Sequence, residues 1–87
     1  MPYVVVRHKV SDFSKWKSAY DAHLPARQGA GLKEEHLLRN VDDQNEVVLF
    51  FETKDLQKAR EFAGSADLRE TMLNAGVVDK PDIYFLG

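Results

Sequence analysis

Two stretches of the chain, "YVVVRHKV" (residues 3–10) and "EVVLFFET" (residues 46–53), alternate strictly yet carry apolar side chains on both faces. In the first, Val4, Val6, His8 and Val10 share one face and Tyr3, Val5, Arg7 and Lys9 the other; in the second, Val47, Leu49 and Phe51 oppose Val48 and Phe50. A period of two with β-branched residues specifies strands. A sheet built from them needs cover on two sides, because each apolar face has to be buried against another layer. A chain of 87 residues hides only about 60–65 % of the surface its unfolded form exposes, so a single layer of helices is what it supplies. The second face must meet something else, since soluble monomers seldom leave a large apolar face in water. Self-association through that face, as an isologous homodimer, is the expected outcome.

The remaining segments complete one pattern. "SDFSKWKSAYDAHL" follows a Ser/Asp start with Phe13, Trp16, Tyr20 and Leu24 at three- or four-residue steps, an amphipathic helix. It closes around "GAG", where Gly29 and Gly31 tolerate a left-handed backbone. "LKEEHLLRN" and the stretch 46–53 flank "VDDQN", whose Asp and Asn residues suit a tight reversal, so a β-hairpin is predicted. After a cap at Thr53 or Asp55 come "LQKAREFA" and "SADLRETMLNAG", two short helical segments joined at Gly64 and Ser65 and stopped by Gly76. "PDIYFLG" ends the pattern as a short strand. No linker or low-complexity run interrupts it, so residues 1–87 are read as one domain. The order βαββαβ predicts an α+β, ferredoxin-like sandwich: a four-stranded antiparallel sheet with its helices on one face, free to pair through the other.

Composition removes several function classes. Lys and Arg number 12 against 14 Asp and Glu, so no basic surplus exists for a phosphate backbone and no nucleic-acid partner is expected. RNA-recognition modules share the βαββαβ order, but their exposed aromatics sit in a basic, glycine-containing third strand, whereas "NEVVLFFE" has acids at both ends. The chain has no cysteine, which rules out disulfides, thiolate metal sites and thiol nucleophiles. The opening "MPYVVVRHKV" meets Arg7 after a run too short for a signal peptide or membrane span, and a cytoplasmic location without membrane contact is expected. His8, His23 and His36 fall on three separate elements without ligand spacing, so no metal site is expected. His36, among charges in "KEEHLLRN", reads as a solvated or edge residue.

Chemistry concentrates on one helix face and one strand face. At about 100° per residue, Phe13, Trp16, Tyr20, His23 and Arg27 share a stripe of about 80° directed at the sheet. Pro25 removes an N–H and crowds the carbonyl of Asp21, so the helix is expected to kink or restart there. Two readings follow. Either His23 and Arg27 stand near the mouth of a pocket floored by Trp16 and Tyr20, or they simply favour the negative end of the helix dipole. His8 is alone among valines on the helix-facing side; it is either a core histidine satisfied by a hydrogen bond or the base or ligand-binding group of a cavity. If the pocket forms, His8 and His23 are the candidate catalytic residues and Trp16, Tyr20 and Arg27 the candidate ligand-binding residues, a set suited to an aromatic acid or enol.

"YVVVRHKVSDFSKWKSAYDAH", "GLKEEHLLRN", "NEVVLFFETKDLQKAREFAGSADLRETM" and the closing "IYFLG" resemble the dimeric α+β barrel superfamily, and within it small stand-alone proteins related to antibiotic-biosynthesis monooxygenases. The resemblance covers nearly the whole chain and lies in element order rather than in a catalytic signature. It implies a homodimer whose two sheets face each other, with a cavity in each protomer between sheet and helices. Such proteins include cofactor-free oxygenases of phenolic polyketides and haem-degrading enzymes; the latter place an axial histidine in the last helix, where "DLRETMLNAG" has none. No cofactor is therefore expected. Two classes of function stay open, a monooxygenase-like enzyme and a non-catalytic dimer that binds an apolar ligand or a protein partner.

Overall fold

A computed structural model describes residues 2–87. Its elements run β1 (Tyr3–Lys9), α1 (Phe13–Ala22), α2 (Leu24–Gly29), β2 (Leu32–Asn40), β3 (Asp43–Thr53), α3 (Leu56–Ala63), α4 (Ala66–Asn74) and β4 (Asp82–Leu86). The strands form an antiparallel sheet in the order β2-β3-β1-β4, with the helices on one face. This is the ferredoxin-like sandwich expected from the sequence, with each helical crossover divided in two.

The divisions have local causes. Asp12 caps α1 through its Oδ1, which accepts from the amides of Ser14 (2.9 Å) and Lys15 (3.3 Å). Pro25 restarts the helix instead of ending it: His23 closes α1 and opens α2, placing the proline in the first turn, where its missing N–H costs nothing. Gly31 then takes a φ of +78° and turns the chain into β2. Downstream, Asp55 caps α3 and Ser65 caps α4 by accepting the amides of Lys58 and Leu68, both at 3.1 Å. Gly76, at a φ of +91°, lets the chain close against the end of β1, with the Ser11 amide donating to its carbonyl at 2.9 Å. Val10 lies just past β1 and bridges to Val77.

Register puts Val4, Val6 and His8 beneath the helices beside Phe51, Leu49 and Val47, all of them buried. β2 does not alternate as simply. Glu34 pairs with Phe51 and His36 with Phe50, leaving Glu35 as a bulge. That extra residue switches faces: Glu34 and Leu37 lie on the helix side, while His36 and Leu38 join the open side, where His36 meets Phe50 edge-on at 5.9 Å. His36 is exposed on the edge strand.

The open face is apolar and is left uncovered by the described residues. Tyr3, Leu38, Tyr84 and Leu86 are 40–56 % exposed there, around half-buried Val5, Val48 and Phe50. One corner is ionic: the Arg7 guanidinium donates to Asp82 (2.8 Å), Glu46 (2.7 Å) and Asp79 (2.9 Å). These bonds hold its pKa above the ordinary arginine value; the Asn40 amide first and Arg7 second hold the Glu46 carboxyl below its ordinary range, and against the effect of burial the Lys9 amide and then Arg7 do the same for Asp79. Among the described residues no helix is long and apolar enough to cross a membrane.

Candidate functional site

A cavity of about 70 Å³ lies between sheet and helices, and His8, Trp16, Tyr20, His23 and Arg27 all line it. Three elements bring them together: β1 carries His8, α1 carries Trp16 and Tyr20, and the α1–α2 break with α2 carries His23 and Arg27. The rest of the wall is apolar, with Leu49 and Phe51 from the sheet and Phe62, Leu68 and Met72 from the later helices.

His8 is 1 % exposed, and neither Nδ1 nor Nε2 has a hydrogen-bond partner among the described residues. The reading of His8 as a satisfied core histidine therefore has no hydrogen bond behind it. Burial pushes its pKa down to about 4, with the negative charge of Asp79 opposing the fall and Arg7 adding to it. At neutral pH the ring is thus uncharged, with one N–H donor and one lone pair unused. Leaving such a group unpaired costs about 1–3 kcal/mol. Trp16 meets the imidazole edge-on at 5.5 Å and holds its plane.

Along α1 the aromatic wall continues. Trp16 stacks on Tyr20 at 4.8 Å, and the Arg27 guanidinium lies 3.6 Å above the Tyr20 ring. The Tyr20 hydroxyl donates to Glu34 Oε1 at 2.6 Å. Burial first, and this bond second, raise the phenol well above its usual range, so it is a neutral donor already in use. Arg27 is 6 % exposed and packs beside Tyr20. Its Nη1 donates to the Tyr20 carbonyl at 2.6 Å, and no carboxylate lies within ion-pair distance among the described residues. A buried guanidinium without a counter-ion is a receptor for negative charge. His23 stacks on Phe62 at 5.8 Å; its buried Nε2 is unpaired, with Asp67 Oδ2 at 3.7 Å, too far for a hydrogen bond.

The sequence did not single out Glu34, which fixes Tyr20, nor Leu68 and Met72. Glu34 could be found from its alternation with Leu32, which places both on the helix side; the two residues of α4 carry no chemical signal. No group of three His, Cys, Asp or Glu side chains is arranged to hold a metal ion among the described residues.

No protein-family model and no curated protein matches the chain. Its fold does match solved structures over nearly its full length. A protein from Bordetella bronchiseptica provisionally named an antibiotic biosynthesis monooxygenase superposes with a TM-score of 0.77 at 14 % identity, covering 99 % of this chain and 94 % of that one. A Nitrosomonas europaea protein of the same provisional name gives 0.69 at 19 % identity, with 100 % and 97 % covered. SnoaB, a cofactor-independent oxygenase from Streptomyces nogalater, gives 0.70 at 16 % identity, with 95 % and 89 % covered. At these identities what is shared is the fold, that of the antibiotic-biosynthesis-monooxygenase-like proteins which the sequence resembles.

Proposed function

We propose that this protein is a homodimer that binds a hydroxylated aromatic or an enol between its sheet and helices, with His8 recognising the hydroxyl. The observation that carries the reading is the pair of unpartnered ring nitrogens on a fully buried His8 that lines a cavity with an aromatic wall. A ligand hydroxyl can donate to the bare nitrogen of the neutral imidazole, leaving the N–H on the other nitrogen for a second acceptor. Arg27 supplies the positive charge against which the hydroxyl can ionise, and His23 offers a second nitrogen. An electron-rich phenolate or enolate made this way is the species on which a cofactor-free oxygenase works, the activity SnoaB is named for. The homodimer is supported by the open sheet face, whose apolar side chains this chain leaves exposed.

One observation favours binding without turnover as the second reading. An imidazole held near a pKa of about 4 is a weak base toward a phenol until a neighbouring anion raises it. The test is a thermal-shift screen with phenol, naphthol and para-hydroxybenzoate, on the native protein and on His8→Leu, followed by oxygen uptake on each hit. A ligand at 100 times its dissociation constant adds about 2.7 kcal/mol, roughly 10 °C or more in a domain this size. A shift that His8→Leu abolishes supports the binding site, and oxygen uptake decides between the two readings. No shift with any hydroxylated aromatic overturns both. Monomer mass by light scattering at tens of micromolar would overturn the dimer.

A further inference from the structure

The cavity of about 70 Å³ is small for this ligand class: a void of about 150 Å³ takes one benzene, and most ligand sites exceed about 300 Å³. The missing space lies next to it. A groove of about 270 Å³ borders α4 and the segment 77–81, and it shares Ala63, Leu68, Met72 and Ile83 with the cavity lining. Together the two spaces reach the size of an ordinary ligand site. Leu68 and Met72 stand four residues apart on one side of α4 and form the helical part of the partition. That partition is yielding for two reasons. α4 buries none of its residues, whereas α1, α2 and α3 each bury one; and methionine, unbranched with three rotatable bonds, changes shape at little cost.

The groove also has a charge preference. Arg69 and Lys80 line it and pair with no carboxylate among the described residues, whereas Asp79 in the same lining is held by Arg7 at 2.9 Å. We infer that cavity and groove are two compartments of one site, joined when the side chains of Leu68 and Met72 swing aside. The ligand is an aromatic of two or more rings with its hydroxyl at His8 and a carboxylate at Arg69 and Lys80. Met72 then sets the length of ligand admitted. The inference rests on the cavity's role as a site for hydroxylated aromatics, and it fails separately from it.

The test uses three probes: para-hydroxybenzoate, naphthol, and a naphthoate whose hydroxyl sits on the far ring. Affinities are measured by calorimetry on the native protein, on Met72→Trp and on Arg69→Gln/Lys80→Gln, and amide chemical shifts are followed on the native protein. The hydroxynaphthoate should bind about tenfold more tightly than naphthol, an advantage that Arg69→Gln/Lys80→Gln removes. Met72→Trp, at the junction of cavity and groove, should weaken both two-ring probes by about tenfold and para-hydroxybenzoate by a smaller factor. In the native protein the two-ring probes should move the amide of Lys80, which lines only the groove and which the one-ring probe leaves in place even where it displaces Met72 to fit, so the result stands even if Met72→Trp fails to fold. Two-ring binding with shifts confined to the surroundings of His8 and Trp16 would overturn the two-compartment site and leave the cavity's role intact. Binding by none of the three overturns both.

Discussion

Acidification from pH 7 to pH 4 should destabilise this protein through His8, and the loss can be worked from the structure. Folding takes the imidazole from its ordinary pKa of 6.5 to about 4 because burial disfavours its charged form. Above pH 6.5 the ring is neutral in both folded and unfolded chains and contributes no pH dependence. Between 6.5 and 4 the unfolded chain binds a proton that the folded one refuses, so stability falls with a slope approaching about 1.4 kcal/mol per pH unit. Below 4 both states are protonated and the loss is complete, at about 3 kcal/mol. Glu46 and Asp79, held below their ordinary carboxylate range, also lose stabilisation as pH falls, so the native curve alone does not isolate His8. The comparison with His8→Leu does, because both proteins share those carboxylates. Urea unfolding can be followed through Trp16, the single tryptophan, which touches His8 at 5.5 Å. The gap in stability between His8→Leu and the native protein should widen by about 3 kcal/mol from pH 7.5 to pH 4. Parallel curves would show that His8 titrates alike in both states and would refute its burial as a neutral, unpartnered ring.

Two further outcomes follow from the backbone and the ionic corner. Gly76→Ala should cost about 1–3 kcal/mol, because φ is +91° and the new Cβ would stand 2.8 Å from Ser11 Oγ; adding Ser11→Gly should return only the part due to that contact, as read by thermal unfolding. Arg7→Met leaves Glu46, Asp79 and Asp82 facing one another. It should destabilise by about 1–2 kcal/mol at pH 7, discounted for partial exposure, and by less at pH 3, where the carboxylates are protonated; equal losses at both pH values would contradict the ionic account.

How much of this was legible in the sequence differs from element to element. β1 and β3 were fully readable, since unbroken alternation of valine, leucine and phenylalanine fixes which side chains turn inward. β2 was not. Lys33, Glu34, Glu35 and His36 are all polar, so nothing in that run marks a face, and the bulge at Glu35 that moves His36 to the open side leaves no trace in composition. Pro25 announced a break in the helix, but the burial of Arg27 depends on Tyr20 lying beneath its guanidinium, a contact between α1 and α2 that only the restarted helix creates. His8 was conspicuous among valines; its missing partner was not, because any candidate partner would come from distant parts of the chain. The partition at Leu68 and Met72 was hidden for the opposite reason, as two ordinary apolar residues on a helix that reads as packing.

The most direct test of the site is the nitrogen spectrum of the His8 imidazole at pH 7, recorded by long-range proton–nitrogen correlation with and without naphthol. In the free protein a single neutral ring is expected, with one protonated and one bare nitrogen. With naphthol bound, the bare nitrogen should move upfield as it accepts the ligand's hydroxyl, and His8→Leu should lose most of the affinity. Saturable naphthol binding that leaves both nitrogens of His8 unmoved would contradict the assignment of His8 as the residue that recognises the ligand.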